Sequence, residues 1–272
     1  YMPTRVNSMT DGEHLYRYFR WGKLMDMSCL DLRSYRTKQN WLKQDNPDHT
    51  IGGAKQMQWL RDNIKNSTCL WKVIGNPVMM AALQIPPISP EIADFIAAKT
   101  GAPAHGIMFN SDQWDGYQWD RYRLTSMIAK NNIKNVVAVT GDIHMSFAND
   151  IYEKFDGNMK GRRVAVEFVG PSVTAANVDD ILADKVGLKL PENDPLFDTV
   201  DKALQTTNQH IRWCQCSKHG YVVVEMNSKF AQADWFFVNN KSNSRSGQHW
   251  GNSWATNEGT SALYPVKKPL KF

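Results

Sequence analysis

Twice in this 272-residue chain a helical pattern runs straight into the pattern of a buried strand, and that recurrence limits the fold more than any other feature. In "GGAKQMQWLRDNIKNS", Ala54, Met57, Leu60 and Ile64 recur at the spacing of one helical face, and "TCLWKVIGNPVMM" follows as an apolar strand stopped by Gly75 and Pro77. In "WDRYRLTSMIAKNNI", residues 119–133, Tyr122, Met127 and Ile128 fall near one side, and the β-branched "KNVVAVTGD" comes at once. A helix feeding a strand, repeated, predicts a layered α/β core.

The flanking segments add strands and helices to that core. Residues 14–36, "HLYRYFRWGKLMDMSCLDLRSYR", alternate apolar and polar side chains around Trp21 and Gly22, which predicts two strands joined by a short turn. "RRVAVEFVGPSVTA" predicts a further strand closed by a Gly-Pro turn, followed by two helices in "VDDILADKVG" and "PLFDTVDKALQTT". Residues 220–238, "GYVVVEMNSKFAQADWFFV", read as a hairpin turning at "NSK". The tail, residues 239–272, is rich in Asn, Ser and Gly and reads as an irregular segment laid over the core.

Composition narrows the function classes. With 42% hydrophobic and 22% charged residues the chain can bury a sizeable core, and it holds no apolar run long enough to span a membrane. The net charge of +5 is spread along the chain, its longest cluster being the terminal "PVKKPLKF". Nothing in that pattern demands a nucleic-acid partner, while a mildly positive field suits a small anionic substrate. Cys29, Cys69, Cys214 and Cys216 lack zinc-finger spacing, and the last two share a face of any extended segment, which strains a direct bridge. They read as buried free thiols.

The residues that point to chemistry sit after a strand. "NVVAVTGDIHMSFAND", residues 135–150, leads a β-branched run into a turn carrying Asp142 and His144. Catalytic groups collect where a strand's C-terminal end meets the next loop, and a hard oxygen donor beside a neutral imidazole suits a di- or trivalent metal. On spacing alone, a helix cap at Asp142 and a packed His144 suffice to explain the pattern.

This stretch, followed by "VAVEFVGPSVTA", resembles the C-terminal half of PhoD-type alkaline phosphatases in the metallophosphoesterase superfamily. Other pieces stand in that family's order: "YMPTR", "YRYFRWGKLMDMSCLDLRSYR", "GGAKQMQWLRDNI", "WKVIGN", "WDGYQWDRYRL", "NQHIRW", "HGYVVVEMN" and "AQADWFFV". The resemblance implies an αββα sandwich of two mixed β-sheets flanked by helices, with residues 1–272 as the C-terminal part of one such domain. It implies hydrolysis of phosphate mono- or diesters by a metal-activated water, with Asp142 and His144 as catalytic metal ligands. Iron and calcium are the implied metals, other divalent ions being alternatives, and the implied location is periplasmic or secreted. The family's upstream segment, which carries further metal ligands, has no counterpart in these residues. The chain is therefore expected to be the downstream half of an enzyme whose metal site an upstream polypeptide completes. The competing expectation is a non-catalytic subunit or degenerate homologue serving as a binding or structural module.

Three more residues are candidates for contact with a phosphate ester. Arg33, with Arg36 in "DLRSYR", offers paired donors matched to phosphoryl oxygens, or else shapes the strand end by bonding Asp26, Asp31 or loop carbonyls. Trp114, in the loop "NSDQWDGYQWD", is expected to wall the cleft, with Asp115 capping and packing. His210 matches the family's Asn-Pro-His stretch, with Gln209 in place of proline, and is a candidate for the substrate side of the site. Asn76 is read as structural.

Overall fold

A computed structural model describes residues 14–40, 43–84, 110–155, 159–187, 190–191 and 194–271. The "YMPTR" segment and His105 lie outside the described residues. Eleven strands among those described form two sheets. The larger contains β1 (Arg17–Trp21), β2 (Met25–Cys29), β3 (Trp71–Asn76), β4 (Val136–Thr140), β5 (Ser146–Phe155), β6 (Met159–Val169) and β7 (Ile211–Gln215), in the order β1-β2-β3-β4-β6-β5-β7. Strands β2, β3, β4 and β6 run parallel, while β1 and β5 run against their neighbours. The smaller sheet is antiparallel, β8 (Gly220–Met226), β9 (Phe230–Val238), β10 (Gln248–Asn257) and β11 (Tyr264–Val266) lying in the order β11-β10-β9-β8. Of the two expected mixed sheets, the larger is mixed.

The two sides of the larger sheet bury different things. Because side chains alternate along a strand, Ile74, Val136, Ala138 and Phe147 meet Leu60 and Ile64 of helix α1 (Gly53–Asn66) and Leu124 and Ile128 of helix α2 (Gln118–Lys130). Trp71, Val73, Val137, Val166 and Phe168 face the other way, against Ala231, Ala233, Trp235 and Phe237 of β9. The two helix-to-strand units seen in the sequence are thus α1 into β3 and α2 into β4. Two more helices, α3 (Val178–Val186) and α4 (Pro195–Thr207), precede β7; Asp194 caps α4 by accepting from the Leu196 N–H, with Pro195 in its first turn.

The tail is not irregular. Its Gln248–Asn257 segment pairs with β9 from Val238 to Phe230, interrupted once where the register shifts between Trp250 and Asn252. Gly251 sits at that shift, and a Cβ there would lie 2.2 Å from the Phe237 ring. Asn, Ser and Gly have low strand propensity, but the hydrogen-bonding edge of β9 outweighs it. Buried carboxylates fasten the rest: Asp150 accepts from the Leu263 N–H at 2.9 Å and Asp234 from the Leu270 N–H at 3.1 Å.

Candidate active site

Strands β2, β3, β4 and β6 all deliver their C-terminal ends to one edge of the sheet, and the loops that leave them build the site. After β4 comes the turn holding Asp142 and His144. Both have left-handed backbones, φ 72° and 64°, and the Ile143 N–H closes the turn onto the Gly141 carbonyl at 2.9 Å. Asp and His tolerate this region better than most residues, yet it costs about 1–2 kcal/mol per position. Such strain is kept where a side chain must be aimed.

His144 is fixed further by its ring. Its Nδ1 lies 2.6 Å from the Ala176 carbonyl, on the loop after β6, and a carbonyl only accepts. Nδ1 therefore carries a proton, which leaves Nε2 as the nitrogen that can face a metal. Asp142 is exposed beside it, and its Oδ1 accepts from an Arg33 nitrogen at 2.9 Å. One carboxylate and one neutral imidazole form a donor set that fits a hard or borderline cation. Among the described residues no third His, Cys, Asp or Glu completes a metal-sized cluster with them.

Asp112 is the second anchor of this site. Arg33 grips both of its oxygens at 2.6 Å, Arg36 bonds Oδ1 at 2.6 Å, and the Gln39 amide bonds it too. Burial alone raises the Asp112 carboxyl, but these guanidinium bonds outweigh it and hold the group below the usual aspartate range. The arginines therefore pair with Asp112 and Asp142 rather than with Asp26. Asp31 accepts from the backbone N–H groups of Arg33 and Ser34 and shapes the loop that carries them. Asp112 itself is positioned by a tight 3-10 turn, Trp114–Tyr117, in which a Cβ on Gly116 would lie 2.1 Å from the Ser111 carbonyl oxygen.

One expected contact is corrected, and a second lies in the interior. Trp114 does not wall a cleft: it is fully buried, and its indole N–H donates to Asn76 at 3.0 Å. A large apolar ring with one donor fits the core once the donor is satisfied. His210 is also buried, its Nε2 2.6 Å from the Ala82 carbonyl and its ring edge-on to Phe155, and burial holds its pKa down to about 4. It also lines a cavity with Ala82, Arg121, Asp150 and Phe155, and neither Asp142 nor Arg33 is among the residues lining that cavity.

Beneath the site lies a polar hub that sequence patterning did not show. Glu167, on β6, is completely buried and accepts from the backbone N–H groups of Met80 and Ala81 at 2.8 and 2.9 Å. Thr140, Asn149 and Asn76 donate to it at 2.8, 3.1 and 3.3 Å. Burial pushes its carboxyl up, against these bonds. Thr140 ends β4 two residues before Asp142, so the hub fixes the strand end from which the turn springs. Asn76, bonded to Val78, Thr140 and Trp114, is one of its struts. Glu167 alternates with apolar neighbours in "VAVEFV", and a lone charge in so apolar a run is the signal that marks it.

Comparison with known proteins gives the family. The profile of the PhoD-like phosphatases matches residues 1–235. The chain belongs to the PhoD-like phosphatase family. Over 202 residues it is 32% identical to alkaline phosphatase D of Bacillus subtilis (strain 168), an alignment covering 68% of this chain and 32% of that protein. A solved structure described as "Structure of PhoD" matches the fold with a TM-score of 0.74 at 23% identity, covering 99% of this chain and 47% of that one. The chain thus spans about a third of the Bacillus protein and about half of the solved PhoD chain. The metallophosphoesterase-like α/β architecture expected for a PhoD-like protein is the one observed.

Proposed function

We propose that this chain supplies the downstream half of a metal-dependent phosphatase or phosphodiesterase, with Asp142 and His144 as metal ligands and catalytic residues and Arg33 as the contact for the phosphoryl group. The observation that carries the reading is the turn after β4: two donors of complementary chemistry flanking Ile143, both in strained left-handed backbone, with the His144 Nδ1 tied to the Ala176 carbonyl. Family membership supports the same substrate class, phosphate esters.

Each residue's role follows from its contacts. Asp142 supplies an anionic oxygen and His144 a neutral nitrogen; a metal ion held there supplies Lewis-acid polarisation of the phosphoryl group and a lowered water pKa. Iron and calcium, with other divalent ions as alternatives, are the metals this reading carries over from the family. Arg33 has more N–H donors than its two carboxylate partners consume, and its half-exposed guanidinium can turn the remaining ones toward a phosphoryl oxygen without leaving Asp112. Asp112 keeps Arg33 and Arg36 together, lowering the entropy lost when a substrate is clamped. An upstream polypeptide completes the donor set, and a periplasmic or secreted setting goes with this reading.

The test is hydrolysis of p-nitrophenyl phosphate and bis-p-nitrophenyl phosphate by the protein isolated from its source, before chelation, after it, and after metal is restored. Intact mass of the same material shows whether an upstream chain accompanies these residues. Metal-reversible turnover of either ester supports the proposal. A metal-replete preparation containing the upstream segment but inert toward both esters favours a binding or structural module.

A further inference from the structure

We propose a second cation site, for a soft or borderline divalent ion such as zinc, formed by Asp201 of α4 with Cys214 of β7 and Cys216 just beyond it. A carboxylate oxygen and the two Sγ atoms lie within 4.8 Å of one another, and all three residues are buried. The ligand atoms of a tetrahedral thiolate site stand roughly 3–4 Å apart, so small side-chain rotations gather this set around an ion. The Asp201 carbonyl, 3.5 Å from Cys214 Sγ, stands beside the cluster as a further oxygen.

The local electrostatics favour a cation. Asp201 Oδ1 accepts from the Cys216 N–H at 3.1 Å and faces Cys214 Sγ at 3.8 Å, and Oδ2 faces the Gln215 amide at 3.4 Å; every one of these donors is neutral. Burial, with Asp198 adding like charge, pushes the Asp201 carboxyl up to about 6. The Cys216 thiol is pushed up by its hydrogen bond with Cys214 and by burial. Three acidic groups thus face one another without a positive neighbour among these contacts. A second such cluster among the described residues shows the contrast: beside Asp179, Asp180 and His219, the Lys241 ammonium is ion-paired with Asp180 and sits 4.0 Å from Asp179. There a lysine supplies the positive charge, whereas no lysine or arginine stands among these contacts of Asp201.

Above about pH 7, where the Asp201 carboxyl is already ionised, one divalent ion enters, both thiols become thiolates and two protons leave. Both thiols are free in this structure.

Cadmium titration of the reduced, chelator-stripped full chain tests this, because cadmium thiolates absorb in the near ultraviolet where the protein's thiols do not. The expected result is one cadmium ion per chain with the thiolate band and two protons released. The band disappears in the Cys214→Ser, Cys216→Ser double variant and persists in Cys29→Ser and in Asp142→Asn. Asp201→Asn weakens binding roughly 10-fold or more. Should the double variant fail to fold, the wild-type titration and Asp201→Asn decide. A fully reduced wild-type chain without the band, a band that survives the double variant, or unchanged affinity in Asp201→Asn overturns the site and leaves Asp201 as a cap for the Cys216 N–H. The readout is absorption, so it stands whether or not the chain hydrolyses phosphate esters.

Discussion

Arg33 reaches 109 residues along the chain to hold the carboxylate of Asp142 at 2.9 Å, while its other terminal nitrogen grips both oxygens of Asp112 at 2.6 Å. The loop after β2 and the turn after β4 are thereby locked at one edge of the sheet. A planar guanidinium spans the two carboxylates; a lysine ammonium, a single point, cannot. Arg33→Lys is expected to raise KM for a phosphodiester about 10-fold, while changing stability by less than about 1 kcal/mol because the pairs are partly exposed. Steady-state kinetics beside a thermal melt checks both numbers. An unchanged KM would show that the guanidinium only shapes the loop.

Glu167 is expected to be intolerant of its nearest isostere. Both of its oxygens accept, each from at least two donors, so Glu167→Gln turns an NH2 toward N–H groups wherever the amide is placed. Each buried donor left unmatched costs roughly 1–3 kcal/mol, and two are affected. Urea denaturation should therefore show a loss of about 2–6 kcal/mol. A variant as stable as wild type would mean that the hub relaxes without penalty.

Gly116→Ala tests the turn that delivers Asp112. The added methyl meets backbone rather than a flexible side-chain tip, so the turn itself must shift. The expected loss is about 1–3 kcal/mol, accompanied by higher KM as Arg33 and Arg36 lose their anchor. Chemical denaturation with kinetics on the same preparation would reveal a stable variant with normal KM, if one exists.

Two buried groups set opposing pH trends. The folded chain holds Asp201 up at about 6, so its contribution is fullest below pH about 4 and is lost as pH rises through 6. His210 is held down at about 4, so its contribution is fullest above pH 6.5 and is lost as pH falls through 4. Each is worth on the order of 3 kcal/mol, so metal-free wild type should be nearly flat between pH 4 and 6 as far as these groups decide. Asp201→Asn leaves the His210 trend alone, and its stability should climb across that window. Melting temperatures of metal-free protein at several pH values would expose a variant with the wild-type profile, which contradicts the assignment.

The two helix-to-strand units were legible because amphipathic periodicity is local, and the hairpin at "NSK" for the same reason. Strands β5 and β7 were not: "SFAND" reads as the continuation of a polar turn, and "IRWCQ" is short and alternates weakly. Strand β10 hides behind low-propensity residues because its partner, not its composition, makes it a strand. At the site, Asp142, His144 and Arg33 stand out through residue type and place after a strand. Asp112 acquires its role only when folding brings it against two arginines from 76 and 79 residues away. Trp114 misled because an aromatic ring in a family-like loop looks functional until its burial is seen.

The account rests on Asp142 as an anionic ligand, and the most direct measurement is the hydrolysis rate of bis-p-nitrophenyl phosphate by the metal-replete source protein carrying Asp142→Asn. Asparagine keeps the size of the side chain and its tolerance of left-handed backbone, so the fold should melt as wild type does. The predicted result is a loss of turnover of roughly 100-fold or more. Turnover equal to that of wild type would contradict the central claim.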